Sequence, residues 1–215
     1  MKFIRIMLYW FQHAHDTAAA LVFTLVARAR FAMLGVRVGP RFRATGWICL
    51  RIHPAAFVSI GSDCRMNSGP RINLVGSGQR LGMYVGRDAT LAIADRVGIS
   101  NSVIVATESI VIGSDTLVGG GCMLVDSDLH ALPLKPHVGS SDPRRPKSRP
   151  IQIGSCVFVG AHAVVLKGSC IGNGATVGAG SVITGVVDPH TVVASLRAQA
   201  IDTKSSKNMK NPRHE

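Results

Sequence analysis

The sequence predicts an all-β solenoid of short stacked strands behind an N-terminal helical segment, and three observations carry that prediction. From Ile153 an aliphatic residue recurs every six positions, at Val159, Val165, Ile171, Val177 and Ile183. Upstream the same period runs through Val85, Leu91, Val97 and Val103, then restarts in a shifted frame at Ile112, Val118 and Leu124. Glycine follows the aliphatic residue at Gly86, Gly98, Gly113, Gly119, Gly154, Gly160, Gly172 and Gly178, with an earlier hint at Ile60-Gly61. Ile, Leu and Val make up 55 of 215 residues, so six consecutive matches arise by chance on the order of once in several thousand trials. A period of six is neither helical nor a plain strand alternation. It suits a short strand and a sharp turn, one inward side chain per unit, with glycine relieving backbone crowding beside it. A single unit cannot bury its aliphatic residue, whereas stacked coils can.

The N-terminal segment, residues 1–54, reads as helical and basic. Lys2 and Arg5 flank an apolar run, His13, His15 and Asp16 interrupt it, and a second run spans 17–27. That second run is about half the ~20 residues a spanning helix needs. The interruption and the missing cleavage site also argue against a signal peptide. Two readings stay open: a helix packed on the body or on a sister subunit, and a helix lying on an anionic inner leaflet.

Composition narrows the function classes. The chain carries 24 Lys and Arg against 12 Asp and Glu, a net charge of +12, which predicts an anionic partner without choosing one. Nucleic acid is not expected, because no basic helix interleaved with aromatics, RNP-like segment or zinc-finger spacing appears. Cys49, Cys64, Cys122, Cys156 and Cys170 are odd in number and never in a CxxC pair. They read as reduced, mostly buried small hydrophobes of a cytoplasmic protein, not as a disulfide framework or a metal site.

The solenoid domain spans 55–201, broken by a polar, proline-rich segment at 126–150 that reads as a loop projecting from one corner. Its basic residues Arg144, Arg145, Lys147 and Arg149 suit either solvent or phosphate groups. A polar tail at 202–215 reads as disordered.

The repeat, covering 55–201, resembles the hexapeptide-repeat acyltransferases, whose fold is a left-handed parallel β-helix of triangular section. The segment Glu108–Asp115 leads through Val118-Gly-Gly-Gly-Cys-Met-Leu-Val125 to Asp126-Ser-Asp-Leu-His130. After the loop come Pro150-Ile-Gln-Ile-Gly-Ser-Cys-Val-Phe-Val-Gly-Ala161 and Val177-Gly-Ala-Gly-Ser-Val-Ile183. Both are similar to the branch of sugar and surface-polysaccharide O-acetyltransferases. The resemblance implies a homotrimer, acetyl-CoA as acyl donor, no metal, and a sugar or polysaccharide-precursor acceptor. It puts the general base on His130, with Asp126 or Asp128 to orient the ring. Imidazole, with an ordinary pKa of about 6.5, suits that task at neutral pH.

The same resemblance places acceptor contacts near Ser100 and Asn101, where a turn-forming Asn is the competing reading, and at Phe158, where core packing competes. Cofactor contacts fall on Gly160, Ala161, Gly178 and Ala179, with Lys167 a phosphate or carbonyl contact or an exposed turn lysine. The family's usual C-terminal Lys-Asp and Gly-Asn-Pro-Ala-Lys stretches are replaced here by Gly185-Val186 and Ser195-Leu-Arg-Ala-Gln199, leaving Arg197 to stand in. Other readings are a non-catalytic trimeric scaffold and a serine or nucleotide-sugar acetyltransferase. A carbonic anhydrase on the same prism would need three ligating histidines; His130, His137 and His162 do not have that spacing. An added nucleotide-binding domain is not expected, because no G-x-G-x-x-G follows a strand.

Overall fold

A computed structural model of the chain describes residues 2–69, 75, 78–129 and 146–195. One long helix, α1 (Lys2–Met33), precedes twenty short strands. The strands form three parallel sheets. The first holds β1 (Arg37–Val38), β4 (Phe57–Ile60), β7 (Thr90–Ile93), β10 (Ser109–Ile112), β13 (Ile151–Ile153), β16 (Cys170–Ile171) and β19 (Val186–Val187). The second holds β2 (Arg43–Thr45), β5 (Arg65–Asn67), β8 (Gly98–Ser100), β11 (Leu117–Val118), β14 (Phe158–Val159), β17 (Thr176–Val177) and β20 (Val192–Val193). The third holds β3 (Cys49–Ile52), β6 (Gly82–Val85), β9 (Val103–Ala106), β12 (Met123–Val125), β15 (Val164–Leu166) and β18 (Val182–Ile183). Each coil visits the three sheets in turn, which is the left-handed parallel β-helix that the repeat predicts.

The six-residue period has a direct physical image. In the first sheet, register stacks Ile60, Ile93, Ile112, Ile153, Ile171 and Val187 in one inward column. In the third, Leu50, Met83, Ile104, Leu124, Val165 and Ile183 do the same. All but Leu50 are buried, and each buried aliphatic side chain contributes about 1.5–3 kcal/mol.

The shifted frame also has a cause. Val118 pairs with Ile99 and Leu124 with Ile104, so the turn after β8 is one residue shorter than the turn after β11. Val103 consequently faces outward and Ile104 takes the core place. Asn101 makes the short turn, with φ of 42°, a left-handed conformation that Asn tolerates better than most residues.

Glycine after the inward residue is required by coil spacing. A Cβ on Gly160 would lie 2.6 Å from the backbone nitrogen of Ala179 on the next coil. Gly160→Ala is therefore expected to lower stability by about 1–3 kcal/mol through overpacking, read as a fall in the urea midpoint at unchanged slope. At the corner between the first and second sheets, Arg41–Asp63 and Arg96–Asp115 form bidentate pairs across coils. The guanidinium hydrogen bonds hold both carboxyls below the usual range, so their small stabilisation is present at neutral pH and disappears as pH falls through those lowered values.

The solenoid begins earlier than residue 55. Strands β1, β2 and β3 build a complete first coil from residues 37–52, so only Lys2–Met33 of the N-terminal segment is helical, in one helix. The first coil carries the Val-Gly signature at Val38-Gly39, in register with Ile60-Gly61 of the next coil. No coil stacks on its other side. Instead α1 caps it. Thr24 Oγ1 donates to Ala44 O and accepts from Ala44 N, Arg28 donates to Gly39 O, and Arg30 donates to Ile48 O. Ala27 and Phe31 extend the core into the helix. The capping helix satisfies backbone groups that an open solenoid end would leave unpaired.

A second departure is an excursion at 68–81 between β5 and β6, which the repeat does not announce. Ser68 closes it, donating to Trp47 O while its oxygen accepts from Leu81 N at 3.0 Å. Of the five cysteines, only Cys64 and Cys122 are buried, and burial raises both thiols. Cys49, Cys156 and Cys170 are exposed, contrary to the expectation of mostly buried thiols, because each sits at an outward or corner place of its coil. No helix among the described residues is long and apolar enough to cross a membrane.

Candidate active site

The Asp-x-Asp-x-His segment leaves the prism at the corner between the third and first sheets, directly after β12. His130 itself, with residues 131–145, lies outside the described residues, as does Arg197. The chain leading into His130 is fixed tightly. Asp126 is fully buried. Its carboxylate accepts from the backbone nitrogens of Thr107, Glu108 and Ser109 at 2.8–3.0 Å and from Thr107 Oγ1 at 2.7 Å. One side chain thus closes the corner of the preceding coil, where three successive N–H groups converge. Among the described residues, every hydrogen-bond partner of the Asp126 side chain belongs to residues 107–109, a different role from the ring-orienting one that the resemblance implies.

The two described ends of the 126–150 segment, 126–129 and 146–150, are held together. Asp128 N donates to Lys147 O at 3.0 Å, Arg149 N donates to Asp126 O at 2.9 Å, and Ser127 bridges to Ser148. Asp128 also pairs with the ammonium of Lys167 from the following coil. Lys167 therefore lies at the same corner as the segment that precedes His130, not beside Gly160 and Ala161. Leu129, the residue before His130, has φ of 60°. That left-handed conformation is strained for leucine and is a mark of positions fixed by their surroundings.

Beside this base lies a cavity of about 580 Å³. Its walls are Tyr84, Val105 and Leu129, and the hydroxyls of Thr107, Ser127 and Ser148 also line it. Sequence reasoning missed Tyr84, Thr107, Ser127 and Ser148. They come from three different coils, so only the strand register brings them together, and no local motif marks them.

The remaining predicted residues occupy the corner between the second and third sheets. Gly119, Gly160 and Gly178 follow consecutive inward valines there, with Ala161 and Ala179 next in the chain. Ala179, Gly180 and Ala194 are exposed and present backbone with side chains no larger than methyl, while the exposed His162 follows Ala161 at the same corner. The missing Cβ of Gly160 makes room for the next coil. Asn101 is fully buried. Its Oδ1 accepts from Gly69 N at 2.8 Å and its Nδ2 donates to Gly69 O at 3.2 Å. It anchors the start of the 68–81 excursion through Gly69. Ser100 accepts from Asn67 Nδ2 at 3.1 Å, and Asn67 Oδ1 accepts from Thr45 Oγ1 at 2.6 Å. This polar ladder runs along the same edge. Phe158 faces outward from β14 and is half-exposed, stacked in register with Leu117 and Thr176. Core packing is therefore excluded for it.

Between these two corners lies the outer face of the third sheet, and from β9 onward that face is apolar. Val103, Val105, Met123, Val164, Leu166 and Val182 point outward from it. Among the described residues, no three His, Cys, Asp or Glu side chains come together as metal ligands would.

Residues 150–185 match the family described as bacterial transferase hexapeptide (six repeats). The chain is 34% identical over 147 residues to WbbJ of Escherichia coli (strain K12), a provisionally assigned O-acetyl transferase of lipopolysaccharide biosynthesis. That match covers 66% of this chain and 74% of the relative. A provisionally assigned acetyltransferase of Staphylococcus aureus (strain COL) is 48% identical over 46 residues, 21% of this chain and 23% of that one. Among solved structures, AntD, an N-acyltransferase from Bacillus cereus in complex with dTDP and 3-hydroxybutyryl-CoA, superposes with a TM-score of 0.57 at 15% identity. It covers 84% of this chain and 91% of its own, and at that identity the likeness is one of fold.

Proposed function

Since the chain belongs to the bacterial hexapeptide-repeat transferases, we propose that it is a cytoplasmic, acetyl-CoA-dependent O-acetyltransferase acting on a sugar or surface-polysaccharide precursor. His130 is the general base of the reaction. The observation that supports this reading is the pinned segment Asp126–Leu129, which stands at the 580 Å³ cavity and directly precedes His130 in the chain. Apolar walls and three hydroxyls suit a sugar, whose ring has apolar faces and neutral hydroxyl edges.

The chemistry follows from the residue type. A sugar hydroxyl is far too weak an acid to ionise near neutrality, so its proton must leave as the oxygen attacks the thioester carbonyl. His130 takes that proton and returns it to the sulfur as the carbon–sulfur bond breaks. The thioester is already activated, so no acyl-enzyme is needed. Asp126 and Asp128 act as positioning residues, the first by fixing the corner and the second through Lys167.

The acetyl-CoA contacts are assigned to the edge of small residues at Gly160, Ala161, Gly178 and Ala179, with Arg197 for a phosphate. That edge accommodates an extended chain along Ala179, Gly180 and Ala194, where the exposed side chains are no larger than methyl, with His162 exposed beside Ala161. It and the His130 corner flank the apolar face of the third sheet from opposite sides. A homotrimer packed through that face would set the His130 corner of one copy beside the small-residue edge of the next. The apolar outer face supports such an assembly, since exposed contiguous apolar surface marks an interface.

The direct test is thiol release from acetyl-CoA across a panel of neutral sugars and oligosaccharide precursors. Release above the acceptor-free rate for at least one sugar is expected. Release that is faster with amino sugars, and absent with every hydroxyl-only acceptor, would replace O-transfer by N-transfer.

A further inference from the structure

The amphipathicity of α1 is inverted. A helix packed on a soluble body turns its apolar stripe inward and its polar residues to water. In α1 the face on the prism is narrow and partly polar, using Thr24, Ala27 and Phe31. The face away from the prism is the apolar one. Ile4, Met7, Leu21 and Leu25 fall at helical steps along it, flanked by Trp10 and Val22, and all six are more than half exposed. The helix has 32 residues, roughly 48 Å at 1.5 Å per residue, and the stripe runs over its turns at 4–10 and at 21–25. Over the projecting N-terminal turns Ile6 and Tyr9 are exposed as well.

Charge indicates what covers the stripe. Residues 1–62 hold eight Lys and Arg (Lys2, Arg5, Arg28, Arg30, Arg37, Arg41, Arg43 and Arg51) and one acidic residue, Asp16. That is a net +7 of the chain's +12, gathered in under a third of its length. A second copy laid along the stripe would bring like charge against like charge. An anionic lipid surface complements both features, taking apolar side chains to the acyl boundary and basic groups to the headgroups. Tyr9 and Trp10 are the aromatic types that settle at such an interface. The helix is not apolar enough to cross, so it would lie in the plane of the surface. We propose that the outward stripe of α1 docks the protein on an anionic membrane, the prism hanging from the opposite face of the helix. This goes beyond acetyl transfer, and its test contains no acyl donor.

The full chain is sedimented with vesicles of phosphatidylglycerol and phosphatidylcholine, and with vesicles of phosphatidylcholine alone. Binding to the anionic vesicles is expected, weakened by salt. Met7→Glu, Leu21→Glu and Leu25→Glu together leave the prism contacts in place and are expected to cost roughly tenfold or more in partitioning. Lys2→Glu with Arg5→Glu, far from the prism, is expected to weaken anionic binding without altering the fold. In a Trp47→Phe chain the emission of Trp10 is expected to move to the blue with anionic vesicles. A full chain that stays in the supernatant overturns the proposal, as does unchanged binding by either set of variants. A triple substitution that lowers the oligomeric mass of a chain indifferent to vesicles would assign the stripe to a second copy.

Discussion

His130→Ala is expected to lower kcat by about 10²- to 10⁴-fold, the range over which a positioned general base contributes. Affinity for acetyl-CoA should change little, because the thioester and its extended arm are assigned to the small-residue edge and not to the His130 corner. The split between kcat and binding is what distinguishes a base from a structural histidine. A structural histidine in the projecting segment would alter folding or cofactor affinity together with rate. The pH profile carries the same information. In wild type, kcat/KM should rise through the titration of one imidazole, since only the neutral ring accepts a proton. In His130→Ala that limb should vanish.

The second large effect is on stability. Asp126→Ala removes the acceptor shared by Thr107, Glu108 and Ser109 and leaves converging N–H groups at a buried corner with no partner. A cost of about 3 kcal/mol or more is expected, in line with orphaning several buried donors at once. Unfolding of purified protein by urea measures it. The diagnostic comparison is Asp126→Asn, which keeps an oxygen toward the corner but points an amide at N–H donors. Its stability should fall between wild type and Asp126→Ala, and its turnover should follow the folded fraction. An Asp126→Asn protein as stable as wild type, yet without turnover, would return Asp126 to the role of orienting the imidazole.

Much of the fold was legible because it is periodic. One inward aliphatic residue per strand and one glycine per close approach repeat often enough to stand out from composition, and Ile153, Val159, Val165, Ile171, Val177 and Ile183 each occupy a core place. What escaped was aperiodic. The first coil carries Phe42, Ala44 and Ile48 in its core and a single Val-Gly step, Val38-Gly39, too little to extend the period on its own. The 68–81 excursion is held by Ser68 and Asn101, residue types too common in turns to announce a staple. The frame shift between Val103 and Ile112 was visible in the spacing, but its causes, one residue fewer after β8 and an eight-residue step from Ile104 to Ile112, emerge only from the strand register.

The site was legible to a different degree. The Asp-x-Asp-x-His segment identifies a corner, and the fold places Asp126 and Asp128 there. Roles were harder to read than places. A carboxylate two or four residues from a histidine suggests a partner for its ring, yet Asp126 turns to the coil before it and Asp128 to Lys167. Lys167 looked like a cofactor contact because sequence distance carries no information about prism corners: Ala161 and Lys167 are six residues apart and stand on different edges. Tyr84 and Thr107, which line the cavity, belong to coils wound before the motif begins.

The central claim is that this prism binds an acyl-CoA thioester and uses His130 in chemistry. Calorimetric titration of acetyl-CoA into the wild-type protein and into His130→Ala tests it without knowledge of the acceptor. Micromolar binding of similar strength in both proteins is the predicted result. No binding by either folded protein at millimolar acetyl-CoA would contradict it and leave a non-catalytic hexapeptide-repeat scaffold as the reading of this chain.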